Sequence, residues 1–255
     1  MFDVKDRFNR LRSDRFSLIR EKYSTNNPQD QAIQFFSKIY GLDGMKENLF
    51  RALISDEQVN VMLVGPPATS KTLFMTTIQE KCNNVLYFDA SNTSGAGFIE
   101  NLYYNRKTRL VLIDEIDKLR KNDMSSLLGL LNDGRVVKSL KQTRYDFRIE
   151  NIKIFATSNS LMSLSKPLRS RFHEYHLNEY TDEEFLNVLK FCLHNKFPEE
   201  INEMIGTLLI NSDMKDVRTA IALGNLLKKD DTRDDVIRVF ENWEKYKKHG
   251  DLDYN

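Results

Sequence analysis

Gly65 to Thr72 reads Gly-Pro-Pro-Ala-Thr-Ser-Lys-Thr within VMLVGPPATSKTLFMTTI, an apolar run followed by a loop and then a helical pattern. A loop between a strand and a helix can turn backbone N–H groups onto phosphate oxygens, with a helix N-terminus behind them. Its side chains supply the rest of what a nucleoside triphosphate needs. Lys71 offers an ammonium for the β and γ phosphates, and the Thr72 hydroxyl a ligand for Mg²⁺. Gly65, Pro66, Pro67, Ala68, Thr69, Ser70 and Leu73 complete the expected cradle. Ser70 stands where the usual pattern has a second glycine, a residue that lets backbone approach phosphate without a Cβ.

A second segment, RLVLIDEID, runs from apolar residues straight into adjacent acids, Asp114 and Glu115. Ligands of open α/β sheets bind outside the C-terminal ends of the strands. Asp114 is therefore expected to hold Mg²⁺ through water, and Glu115 to polarise an attacking water as general base. The plainer alternative is a solvated strand end. Asn159 follows the strand-like run IKIFAT, where its amide can hold the same water or the γ-phosphate, although asparagine after a strand is commonly a turn residue. Arg169 and Arg171 in SKPLRSRF are either solvated surface or guanidinium groups directed at a neighbouring subunit's γ-phosphate. Arg218 in DMKDVRTAIALG lies near the start of a helical pattern and, by itself, reads as a surface arginine.

The elements that must position these residues are legible as short apolar runs at 61–64, 85–88, 110–113, 152–157 and 174–177, separated by helical patterns. Near-continuous apolar strands alternating with helices imply a parallel sheet covered on both faces. The expected fold class is α/β, a Rossmann-like αβα P-loop domain followed by a small all-helical lid domain. The lid begins at TDEEFLNVLKFCLHN, with a capping box from Thr181 to Glu184. The predicted organisation is an N-terminal amphipathic helix and linker over 1–30, the ATPase domain over 31–178 and the lid over 179–255. In the first segment Val4, Phe8, Leu11 and Leu18 form a stripe among basic residues, which suits a helix docked by its apolar face or a nucleic-acid arm.

The 255 residues carry a formal charge of +1, so any nucleic-acid binding must come from a local basic patch. Cys82 and Cys192 form no CxxC pair, which fits a reducing compartment. His173 and His176 are three apart on a strand-like run and make a poor metal pair. No apolar stretch approaches the ~20 residues that span a bilayer. The chain is expected to be soluble and cytoplasmic, with no membrane partner.

Taken in order, the P-loop, the Asp-Glu strand, the asparagine strand, PLRSRF and an arginine in the lid resemble the AAA+ superfamily over about residues 36–228. The resemblance implies ATP and Mg²⁺ as cofactors, with Walker A at Gly65–Thr72, Walker B at Asp114 and Glu115, and sensor 1 at Asn159. It further implies an arginine finger at Arg171 or Arg169, sensor 2 at Arg218, and adenine packing by Tyr40 and Gly41 in IYGLDGMKENLFRAL. It also implies a homo-oligomeric ring, a hexamer in the first instance.

Within that superfamily the chain is similar to the RuvB-type motors and to the MCM and MoxR groups, which carry a β-hairpin before sensor 1. Here Val136, Lys138 and Leu140 alternate opposite Tyr145, Phe147 and Ile149. The tip between them, Lys141 to Arg144, is basic and either touches a phosphate backbone or is a solvated hairpin end. No winged-helix domain of the RuvB kind is expected after the lid. Phe98 in DASNTSGAGFIENLYY is either a pore-lining aromatic or, with Ile99 and Leu102, part of a helix packing on the sheet. The resulting expectation is an ATP-driven ring acting on DNA; a MoxR-like protein-remodelling ATPase and a nucleotide-regulated scaffold are the alternatives.

Overall fold

In the computed structural model, the described residues are 19, 27–139, 144–194 and 196–248. The stripe at Val4, Phe8, Leu11 and Leu18, Leu140, and the hairpin tip at 141–143 lie outside them. The strands are β1 (Val61–Val64), β2 (Val85–Asp89), β3 (Leu110–Asp114), β4 (Arg135–Ser139), β5 (Arg144–Arg148), β6 (Lys153–Ser158) and β7 (His173–His176). Five of them form a parallel sheet in the order β2-β3-β6-β1-β7, and β4 pairs with β5 as a separate antiparallel hairpin. β7 begins one residue before the apolar run at 174–177, because its extent is set by pairing with β1, from Val61 opposite His173 to Val64 opposite His176.

Every residue of β1 and β6 is buried, so the period-two alternation of a strand is invisible in their hydropathy and appears only in which layer each side chain enters. Val61, Leu63, Leu110, Leu112 and Phe155 join one core with α1 (Pro28–Phe35), α2 (Asp43–Ile54) and α3 (Lys71–Lys81). Met62, Val64, Val111, Ile113, Ile154 and Ala156 join the opposite core with α4 (Gly95–Tyr104), α5 (Lys121–Asp133) and the hairpin. A short helix, α6 (Lys166–Arg169), precedes β7. Phe98 is 9% exposed, with its ring centroid 4.6 Å from that of Phe88. It is a core residue, which corrects the pore-aromatic alternative: Phe98, Ile99 and Leu102 share the face that α4 turns to the sheet.

The hairpin register sets Val136 opposite Phe147 and Lys138 opposite Tyr145. Three of its described cations are engaged locally. Arg135 pairs with Asp146 at 3.3 Å, Lys138 with Asp123 at 3.2 Å, and Arg148 Nε donates to the Asp133 carbonyl at 2.8 Å.

The chain divides between Asn178 and Glu179 into two compact units. The second is helical, with α7 (Asp182–Leu193), α8 (Glu199–Asn211), α9 (Val217–Leu226) and α10 (Arg233–Lys248) around a core that includes Phe185, Leu189, Ile205, Leu209 and Leu223. The capping box at the start of α7 forms in both directions, Thr181 N–H to Glu184 Oε2 and Glu184 N–H to Thr181 Oγ1. No helix among the described residues is long and apolar enough to cross a membrane.

Two buried polar residues tie the first unit together. Asn60, just before β1, donates to the carbonyls of Leu131 and Arg171 and accepts from Ile154 N–H, while its own carbonyl accepts from His173 N–H. Lys153, 2% exposed at the start of β6, donates to the carbonyls of Ala52, Leu53 and Ser55. These carbonyls end α2, where no further helical N–H is available, so one ammonium with three donors closes the helix. Replacing Lys153 by Met keeps the aliphatic length and leaves the carbonyls without that partner. Urea unfolding of Lys153→Met is expected to show a loss of about 3 kcal/mol; a loss below about 1 kcal/mol would mean the carbonyls find other donors.

Candidate functional site

The loop after β1 is built from backbone of alternating hand. Ala68 has φ +65° and Ser70 φ +63°, while Thr69 between them is not left-handed. Such alternation turns successive N–H groups toward one concavity, the arrangement that favours an anion. Gly65 serves a different need: a Cβ there would lie 2.4 Å from the carbonyl oxygen of Leu177, the residue after β7. Its N–H bonds Ser158 O at 3.1 Å, and Leu177 N–H bonds Val64 O at 2.7 Å, so the start of the loop is fixed to both flanking strands. Pro66 and Pro67 follow, and Thr69 Oγ1 donates back to Pro66 O at 2.8 Å.

Lys71 opens α3 and is 6% exposed; its Nζ donates to Gly65 O at 2.7 Å and Pro66 O at 2.6 Å and lies 3.3 Å from Thr69 Oγ1. Its charge is thereby held inside the loop, beside the N-terminal end of a helix. Thr72 and Leu73 are exposed in the same first turn. Thr72 Oγ1 lies 3.4 Å from Asp114 Oδ2, which brings the loop and the acid-bearing strand together. A hydroxyl and a carboxylate oxygen are hard donors suited to Mg²⁺, and neighbouring ligands of an octahedral Mg²⁺ lie about 3 Å apart. The pair therefore fits that ion.

Asp114 is gripped from both neighbouring strands. Tyr87 of β2 donates its phenol to Oδ2 at 2.8 Å, and Thr157 of β6 donates to Oδ1. Burial, then the hydrogen bond and charge of Asp114, push the Tyr87 phenol well above its ordinary pKa, so it stays protonated and donating. The same Thr157 oxygen accepts Glu115 N–H at 2.9 Å.

Glu115 turns the chain out of the sheet with φ +53°, ψ +47°. This left-handed kink costs a non-glycine residue about 1 kcal/mol and re-aims the side chain beside Asp114. Its Oε1 accepts from Asn159 Nδ2 at 3.2 Å and its Oε2 from Ser91 Oγ at 2.7 Å. Asn159 lies one residue past the end of β6, and its N–H is held by Asp117 Oδ1 at 3.1 Å.

Arg169 and Arg171 differ in their surroundings. Arg169 is held in a two-pronged pair with Glu174, Nε to Oε1 at 2.8 Å and Nη2 to Oε2 at 2.9 Å, which raises the arginine's pKa and lowers the glutamate's. Arg171 Nη1 donates to Pro167 O at 2.6 Å, and its Nε is buried without a hydrogen-bond partner among the described residues. Tyr40 is 42% exposed in the loop between α1 and α2, where Gly41 has φ +59°. Arg218 belongs to the second unit, at the start of α9, where its guanidinium pairs with Asp216 at 3.1 Å.

Sequence reasoning missed Tyr87, Ser91, Thr157 and Asp117. Thr157 and Asp117 sit inside motifs already singled out. Tyr87 and Ser91 gave no local signal, because their relevance depends on β2 pairing with β3. Ser70 now has a measurable cost, since its left-handed conformation is one that glycine adopts freely. Ser70→Gly is expected to raise stability by about 1 kcal/mol without loss of nucleotide binding, read by thermal unfolding and a nucleotide titration. A destabilised variant would show that the Ser70 side chain outweighs the strain.

Residues 61–180 match the family model described as ATPase family associated with various cellular activities (AAA). Lon protease of Campylobacter jejuni is 23% identical over 214 residues, covering 73% of this chain and 26% of that protein. The mitochondrial Lon protease homolog of Scheffersomyces stipitis is 28% identical over 212 residues, covering 73% of this chain and 18% of that protein. The chain thus spans about a quarter or less of the length of these relatives. A solved mutant of Thermotoga maritima RuvB has a TM-score of 0.63 at 20% identity, covering 81% of this chain and 71% of that one. The Thermotoga maritima RuvB Holliday junction branch migration motor has a TM-score of 0.58 at 22% identity, covering 79% and 69%. At these identities the likeness is one of fold, and it extends to the parallel sheet that carries the loop and the paired acids. Residues 61–180, the part of the chain similar to the AAA ATPase family, contain the five-stranded sheet, the loop and the paired acids.

Proposed function

We propose that the chain binds ATP with Mg²⁺ and hydrolyses the β–γ phosphoanhydride bond as a subunit of a homo-hexameric ring acting on DNA. The observation that carries the reading is the meeting of a left-handed phosphate loop, through Thr72, with an Asp114–Glu115 pair whose two carboxylates are held separately. Lys71 exchanges its loop carbonyl partners for the β and γ phosphate oxygens, and Tyr40 and Gly41 pack against adenine. Thr72 and Asp114 would hold Mg²⁺, which would supply charge neutralisation at the phosphates. Glu115 accepts a proton from water as its oxygen attacks the γ-phosphorus. The bond from that phosphorus to the ADP oxygen breaks, and the electron pair leaves with ADP. Asn159 orients the same water through its amide. Of the two arginines, Arg171 is the one we assign to a neighbouring subunit's γ-phosphate, because Glu174 already holds Arg169 within the chain.

Steady-state ATPase assays test the assignments. Glu115→Gln is expected to lower turnover at least about 100-fold with ATP still bound, whereas Lys71→Ala weakens binding itself. Arg171→Ala should lower turnover by about 1,000-fold, and mixing it with Glu115→Gln subunits should restore part of the activity, since each supplies what the other lacks. Normal turnover by Glu115→Gln, or by Arg171→Ala, would refute the corresponding role.

DNA as the substrate is supported by likeness to a branch migration motor in fold and by the basic residues Lys141 and Arg144 in the sequence of the hairpin end. A polypeptide substrate is the second reading, favoured by the Lon protease relatives and by the local pairing of Arg135 and Lys138. Stimulation by single-stranded, duplex or branched DNA that collapses between about 50 and 200 mM salt is the expected signature of a DNA motor. Indifference to DNA together with stimulation by an unfolded protein would select the polypeptide.

A further inference from the structure

The parallel register places Tyr87 opposite Leu112, on the sheet face that carries Asp114 two residues farther along β3. A tyrosine is long enough to lean along its strand, and here its hydroxyl reaches Asp114 Oδ2 at 2.8 Å. On the other side Thr157 takes Oδ1. The outer torsion of an aspartate is broad and nearly two-fold, so a carboxylate at a strand end ordinarily samples several orientations. Here two donors from two different strands define its plane, and the oxygen held by Tyr87 is the one facing Thr72. Each carboxylate oxygen has two lone-pair sites, so Oδ2 keeps acceptor capacity beyond the Tyr87 bond.

We propose that Tyr87 is a positioning residue for the metal–nucleotide complex: its hydroxyl fixes Asp114 with Oδ2 toward Thr72, so that the two oxygens present one preformed edge to Mg²⁺ or its water. The inference rests on the nucleotide reading above. Partners of this kind, which orient a metal ligand without touching the metal, typically change metal affinity by about 10- to 100-fold.

Tyr87→Phe removes the hydroxyl and keeps the ring in its core. The 255-residue chain is titrated with a fluorescent ATP analogue, once in EDTA and once in excess Mg²⁺, and the ratio of the two affinities is the readout. Tyr87→Phe is expected to leave the EDTA affinity unchanged and to shrink the Mg²⁺-dependent gain about tenfold, with Asp114→Ala abolishing the gain. Mn²⁺ monitored by electron paramagnetic resonance should show the same order of retention, wild type above Tyr87→Phe above Asp114→Ala. A wild-type gain in Tyr87→Phe overturns the proposal. So does an equal loss of affinity in EDTA and Mg²⁺, which would mark a purely structural tyrosine. If the wild-type chain binds no nucleotide under either condition, the nucleotide reading itself fails; if only the Tyr87→Phe comparison fails, that reading stands without this residue.

Discussion

The whole site depends on adjacent strands of one parallel sheet ending at the same level. Val64 is opposite Ser158 and Ile113 opposite Ala156, so β1, β6 and β3 terminate side by side. Neighbouring strands lie about 4.8 Å apart, which is within reach of one side chain. The residues that leave those strands, Gly65, Asp114 with Glu115, and Asn159, are thereby neighbours although far apart in sequence. A slip of one residue in any pairing would turn Asp114 or Thr157 to the opposite layer. The register is held by apolar residues on both faces, and the chemistry follows from it.

Buried polar groups then convert that register into fixed geometry. Thr157 spans two strands with a single oxygen, donating to Asp114 and accepting from the backbone of Glu115. Each acid is accordingly held by its own set of donors, Tyr87 and Thr157 for Asp114, Ser91 and Asn159 for Glu115. Neighbouring carboxylates with separate donors can remain distinct in role, one for an ion and one for a proton. Lys153 does similar work far from the site by closing α2 against the start of β6.

The residues legible in the sequence were those whose chemistry needs fixed types at fixed local spacing. Lys71 and Thr72 in the loop, the Asp114–Glu115 pair at a strand end and the capping box at Thr181 are of this sort. What stayed hidden was nonlocal. Tyr87 looks like any aromatic in a strand until β2 is placed beside β3, and strand order is not written in hydropathy. Lys153 passed as a strand residue because nothing nearby announces the helix end it closes. Arg169 and Arg171 are indistinguishable in SKPLRSRF; the turn into β7 brings Glu174 to one of them and not the other. Phe98 had two readings because helical spacing alone does not say which layer a helix covers, and its contact with Phe88 decides between them.

Asn60 gives the molecule a mechanical property. Its side chain holds the backbone carbonyl of Arg171, its carbonyl holds His173 N–H, and it is the residue from which β1 sets out toward the phosphate loop. The segment bearing Arg171 is therefore bolted to the base of the strand whose far end carries Gly65. In the ring proposed above, a subunit's grip on its own nucleotide and its reach toward the adjoining one would move as a single strut.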